Sequence, residues 1–166
     1  MWSLLKRVAW SVPVAIAVTD RIATVVRVDG ASMSPTFNPL GGSEWVLVEK
    51  LSYKWLHQYS RGDVAVLWSP DDPRQQLVKR VTGLEGDVVW DSYQHNATCI
   101  PQGRCWIEGD NPLASGDSRN IYGPVHLGLL EGRVIRIVWP LTRWGEVEDL
   151  RSQRCLMGSW QPGTCK

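Results

Sequence analysis

The sequence predicts a mostly antiparallel β domain preceded by a short N-terminal membrane-anchoring helix, and three observations carry that expectation. Short runs rich in Val, Ile, Thr and Trp follow one another along most of the chain. Turn residues separate them, above all the pairs Gly62-Asp63, Gly86-Asp87 and Gly109-Asp110. The 166 residues fit one domain plus a small appendage.

The elements follow in chain order. Lys6 and Arg7 precede an uncharged run from Val8 to Thr19, which Asp20 and Arg21 interrupt before Ile22–Val26 resumes. As a helix the run would reach about 18 Å, against roughly 30 Å of hydrocarbon. Three readings stand: a single-span anchor whose Asp20 and Arg21 sit at an interface, a removable signal peptide ending near Ala15-Ile16-Ala17, or a buried core helix. Lys6 and Arg7 would hold the N-terminus on the positive-inside face. Strands are expected over Thr24–Val28, Trp45–Glu49, Val64–Trp68, Gln76–Thr82, Val88–Asp91, Cys105–Glu108 and Val134–Trp139. Lys50–Tyr59 carries a weak helical signal. The division is residues 1–23 as anchor, 24–149 as β domain, and 150–166 as a loose tail of Gly, Pro, Ser and polar residues.

Composition narrows the function. Eighteen Lys and Arg against seventeen Asp and Glu give a net charge of +1, unlike the basic surplus of a nucleic-acid binder. The four Cys form no C-x-x-C pair and the three His are scattered, so no metal site and no cofactor is expected. Cys99 and Cys105 flank a turn and are either bridged or two free thiols. Ten Trp against one Phe favour surfaces that meet both water and lipid or a partner, although core burial is the commoner fate of Trp.

Three segments carry chemistry. In Gly30-Ala31-Ser32-Met33-Ser34-Pro35-Thr36, a Ser on a loop leaving a strand presents a hydroxyl and a backbone N–H, as a nucleophile or as an ordinary turn serine. In Gln76–Thr82, alternation puts Leu77, Lys79 and Val81 on one face and Val78, Arg80 and Thr82 on the other. A buried Lys79 would lose water, and its pKa would fall toward the range a general base needs. The alternative is a half-exposed strand from which both cations snorkel. The third segment, Gly109–Arg119, is dense in hydroxyls and charges that either pin one another or face solvent.

Together these segments resemble the type I signal peptidase family of membrane-anchored serine proteases with a Ser–Lys dyad. The nucleophile box stands as Ser32-Met33-Ser34-Pro35-Thr36 and the lysine box as Lys79-Arg80-Val81-Thr82-Gly83. Gly86-Asp87, Gly109-Asp110-Asn111 and Ser115-Gly116-Asp117-Ser118-Arg119 follow in family order. The resemblance covers about residues 24–145. It implies Ser32 as nucleophile and Lys79 as base. Ser115 would orient the amine, and Asp117 with Arg119 would form a supporting ion pair. Gly30, Ala31 and Met33 would frame an oxyanion hole and substrate site, while Asp110 and Asn111 read as turn-formers. Some bacterial relatives place a Ser where this chain has Gly30, so an oxyanion hole here relies on backbone N–H groups.

Within the family the chain is most similar to the mitochondrial inner-membrane branch. Asp20-Arg21 at the end of the anchor, Val28-Asp29-Gly30-Ala31-Ser32-Met33, Tyr122–Leu129 and Trp139-Pro140 with Arg143-Trp144 carry that likeness. It implies anchorage in inner-membrane lipid with the domain in the intermembrane space. It also implies a heterodimer with a sister catalytic subunit, and precursor proteins with presequences as substrates. The competing readings are a bacterial or plastid signal peptidase and a non-catalytic subunit of the same fold. A self-cleaving repressor would need an upstream DNA-binding domain.

Overall fold

The computed structural model describes residues 21–91 and 96–147. The elements are β1 (Ala23–Asp29), β2 (Ser43–Glu49), α1 (Leu51–Lys54), β3 (Val64–Trp68), β4 (Gln76–Gly83), β5 (Val88–Asp91), β6 (Asn96–Cys99), β7 (Arg104–Glu108), β8 (Val125–His126), β9 (Leu130–Trp139) and β10 (Gly145–Glu146). The main sheet runs β1-β2-β9-β3-β4-β7-β8, with β10 on β9, and β5-β6 forms a separate hairpin. The recorded pairings are all antiparallel.

All seven expected strands are present. β9 begins at Leu130, four residues earlier than its pattern indicates, and β6, β8 and β10 are additional. β6 reads Asn-Ala-Thr-Cys and is a strand only through its pairing with β5. β8 and β10 hold two residues each, too few for any periodicity to register. The helix expected in Lys50–Tyr59 shrinks to the single turn of α1, and His57 then turns the chain at φ 49°.

Strand β3 divides the two larger of three core clusters; the third, Val89, Ile100 and Trp106, is separate. The strand's Val64 and Val66 join Met33, Phe37, Val46 and Val48 on one side. Its Ala65 and Leu67 join Tyr53, Val81, Cys105 and Ile107 on the other. Each fully buried Val or Leu contributes about 1.5–3 kcal/mol, so a strand apolar on both faces holds its neighbours firmly. β4 is one of those neighbours, paired through Ala65↔Lys79 and Val64↔Arg80.

The expected anchor falls almost wholly on residues 1–20, and the tail on 150–166; both lie outside the described residues. Among the described residues no helix is long and apolar enough to cross a membrane. Cys105 is a free, buried thiol, which overturns the bridge to Cys99 across the turn. It serves as a small core hydrophobe, its pKa pushed up to about 12 by burial.

Candidate active site

Two open strand edges frame a cleft. β1 ends the sheet, and β4 pairs with β7 only from Arg80 onward, so Gln76–Lys79 has no β7 partner. Between these edges lies a cavity of about 340 Å³ whose lining includes Asp29, Gly30, Ser32, Met33, Leu77 and Lys79. The residues expected to carry nucleophile and base therefore share one cleft.

Lys79 is only 3% exposed. Its Nζ donates to Ser115 Oγ at 2.8 Å, and Ser115 Oγ donates in turn to Asp117 Oδ2 at 2.7 Å. The amine thus meets a hydroxyl, with the carboxylate one bond further away. Burial pushes the Lys79 pKa below its ordinary value; Asp117 opposes that and Arg119 adds to it. Asp117 is itself fully buried. Burial alone would raise its pKa. Hydrogen bonds from Arg119, Ser115 and the backbone N–H groups of Gly109 and Arg119 outweigh that and hold it at about 2. Arg119 Nε reaches Asp117 Oδ1 at 3.0 Å, and Arg119 Nη2 reaches the Gly109 carbonyl at 3.0 Å. Lys79 therefore faces a carboxylate whose charge is already shared among several donors.

The loop carrying Ser32 is tied down at nearly every carbonyl. Asn38 Nδ2 donates to the carbonyls of Val28 and Gly30 at 3.1 and 3.2 Å. Asn111 donates through its side chain to the Ala31 carbonyl at 3.1 Å, and through its backbone to the Ser32 carbonyl at 3.0 Å. Gly109 is required for this approach, because a Cβ there would collide with Ser115 Oγ and the Ser32 carbonyl. Met33 and Phe37 anchor the loop in the first core cluster. At its far end, Thr36 Oγ1 donates to Asp110 Oδ2 at 2.6 Å, and Arg143 Nη2 donates to the Thr36 carbonyl at 2.7 Å.

Arg80 is as buried as its neighbour, 3% exposed. Its Nε and Nη2 bind Asp110 Oδ1 and Oδ2 at 2.9 and 2.7 Å, and its Nη1 binds the Gly62 carbonyl at 2.8 Å. Neither cation snorkels, so the half-exposed reading of this strand does not hold: the Ser115–Asp117 segment closes over Lys79, and Asp110 with Thr36 closes over Arg80.

The structure gathers most of the expected site. Ser32, Lys79, Gly30 and Met33 line the cleft, and Ser115, Asp117 and Arg119 stand behind Lys79. Ala31 does not line it. Its carbonyl is taken by the Ser34 N–H and the Asn111 amide, and its side chain is exposed. Asp110 and Asn111 do more than turn the chain, since they bind Arg80, Thr36 and Ala31. Sequence reasoning missed Thr36, Asn38, Arg80 and Arg143 as parts of the frame, because each acts through partners distant in the chain. Among the described residues no group of three or more His, Cys, Asp and Glu is arranged to hold a metal ion.

Comparison with known proteins accords with this geometry. Residues 1–92 match the family described as signal peptidase, peptidase S26. The mitochondrial inner membrane protease subunit 2 of Danio rerio is 45% identical over 141 residues, covering 83% of this chain and 76% of that one. The subunit 2 of Mus musculus is 42% identical over 149 residues, covering 87% and 84%. A mitochondrial inner membrane protease subunit 1, from Schizosaccharomyces pombe, is 42% identical over 117 residues, covering 69% and 73%. The family match spans more than half the chain and the relatives span most of it: the chain belongs to the signal peptidase family, peptidase S26, and is a protease of that family.

Proposed function

We propose that this protein is a membrane-anchored serine endopeptidase that removes presequences from proteins delivered to the mitochondrial intermembrane space. Ser32 is its nucleophile and Lys79 its general base. The observation that carries the proposal is a buried lysine with a lowered pKa and a hydroxyl partner, sharing one cleft with Ser32. A carboxylate paired directly with the amine would favour its protonated form; here burial lowers the Lys79 pKa, the direction a general base needs.

Ser32 Oγ bonds to the scissile carbonyl carbon while its proton passes to Lys79 Nζ. Backbone N–H groups beside Ser32 receive the oxyanion, an effect worth roughly 3–4 kcal/mol per donor. The C–N bond then breaks and Lys79 returns the proton to the departing amine. Water attacks the acyl-enzyme carbonyl and gives a proton to Lys79; the C–Oγ bond breaks and Lys79 passes that proton to Ser32 Oγ, restoring the hydroxyl and the neutral amine. An extended presequence fits between the open edges of β1 and β4 by adding as a strand. Small residues before the cut suit a shallow site that rejects bulk on steric grounds.

The names of the relatives support inner-membrane residence. In this proposal residues 1–23 are the anchor and the domain faces the intermembrane space. Relatives named as subunits 1 and 2 support a heterodimer with a sister catalytic subunit. They also favour this reading over a bacterial or plastid peptidase. The test is incubation of the full chain, with and without that sister subunit, with bipartite presequence substrates. Ser32→Ala is expected to abolish cleavage while leaving the fold and expression intact. Cleavage by the Ala variant would place the nucleophile elsewhere.

A further inference from the structure

The cleft uses the Ser32 end of β1, but the opposite end carries an unexplained apolar cluster. Ile22, Leu51, Trp55 and Leu56 are 46%, 44%, 55% and 55% exposed. They belong together in space. The Lys50 N–H donates to the Ile22 carbonyl at 2.8 Å, and the Arg21 guanidinium lies 5.6 Å from the centre of the Trp55 ring.

The mount is rigid. Tyr53 in α1 is 1% exposed, packs in the second core cluster and donates to Asp63 at 3.1 Å. Lys50 and Lys54 both pair with Glu131 of β9, at 3.2 and 2.8 Å. With Tyr53 held inward, Leu51, Trp55 and Leu56 cannot rotate into the core.

The sequence that leads into β1 bears on what this surface meets. Arg21 continues directly from residues 8–19, the uncharged run read as the anchor. That run spans about 18 Å as a helix against roughly 30 Å of hydrocarbon, so its flanking residues are drawn toward the lipid boundary. Wherever the run leaves the bilayer, Arg21 brings Trp55 to the same depth. Trp with neighbouring Leu and Ile, rimmed by Arg21 and Lys54, is the side-chain set that partitions into the headgroup–acyl boundary.

We propose that α1 is a second membrane contact, in which Ile22, Leu51, Trp55 and Leu56 seat in the bilayer surface beside the anchor and fix the tilt of the catalytic domain. This rests on the reading of residues 1–23 as an anchor.

The test uses the full chain in phosphatidylcholine vesicles whose lipid carries bromine near the headgroup end of the acyl chains. The emission lost in Trp55→Phe is expected to lie to the blue and to be quenched about twofold by the brominated lipid. The emission lost in Trp90→Phe, from an exposed residue of the β5–β6 hairpin, serves as the unquenched reference. A Trp55 component that emits like Trp90 and escapes quenching overturns the contact. If the wild type fails to float with the vesicles at all, the anchor reading falls instead. A Trp55→Glu, Leu56→Glu variant still floats through its anchor. It is expected to lose about tenfold in cleavage of a membrane-tethered precursor while cutting a short soluble peptide at the wild-type rate. Equal rates on both substrates, or equal losses on both, would also overturn the proposal.

Discussion

Lys79 and Arg80 are neighbours on one strand, equally buried, and surrounded in opposite ways. Arg80 receives a matched carboxylate, a carbonyl and a threonine hydroxyl. Lys79 receives one serine hydroxyl. Strand alternation sends the two side chains to opposite faces of β4, so each face sets its own electrostatics. The Arg80 face is built to keep a charge, and joins the 36–38 and 109–111 loops by doing so. The Lys79 face is built to weaken one. Burial by itself therefore says nothing about the role of a cation; the partner decides.

The largest effect expected is on catalysis. Lys79→Arg keeps the positive charge but cannot release a proton, and turnover should fall by at least about 10³-fold. Lys79→Met should lose activity equally, yet it removes a group whose ammonium form is penalised by burial. The folded pKa of Lys79 lies below its unfolded value. The folded state thus binds fewer protons between those two values, and stability rises with pH across that window. Lys79→Met should therefore raise Tm, and more at pH 6 than at pH 10. Residual cleavage by Lys79→Arg, or a lowered Tm in Lys79→Met at pH 6, would break the contrast from the lysine side.

Arg80→Met is expected to do the reverse. It removes the matched guanidinium from the Asp110 carboxylate, whose side chain is 1% exposed and which keeps the Thr36 hydroxyl as a donor. Removing one partner of a buried pair costs about 3–5 kcal/mol, enough to unfold much of a marginal domain. Chemical denaturation of the two Met variants side by side reads the opposite signs directly. A similar loss for both would mean that the two cations are equivalent structural ions.

How far this contrast is legible in the sequence depends on the range of the interactions. The strand Val64–Trp68 is readable because both its faces are apolar, and the alternation that separates Lys79 from Arg80 is a local property of β4. The serine box and the polar loop ending at Arg119 are readable as motifs. What covers β4 is not. The snorkelling alternative survives until Ser115 is seen against Lys79, and Asp110 with Thr36 against Arg80. Likewise Asp110 looks like a turn residue until it is found against Arg80, thirty positions away, and Thr36, seventy-four away. No periodicity encodes such pairings. The Cys99–Cys105 bridge fails for the same reason: the turn brings the positions near in sequence, but Cys105 points into the core.

The smallest effect, and the sharpest, concerns Ser115. Its hydroxyl accepts from Lys79 and donates to Asp117, so it both aims the amine and links it to the Asp117 carboxylate. Ser115→Ala leaves Asp117 held by Arg119 and Gly109, and the fold should persist. The amine loses its aim, which should lower kcat by up to about a hundredfold with little change in KM. It also loses an acceptor that solvates the ammonium, so the Lys79 pKa should fall further. The acid limb of the kcat profile should then move to lower pH, the direction opposite to that expected if Ser115 favoured the neutral amine. A purely structural role would lower the active fraction and leave that limb in place. The pH profile therefore decides whether Ser115 acts on the chemistry of Lys79 or only on the shape of the loop behind it.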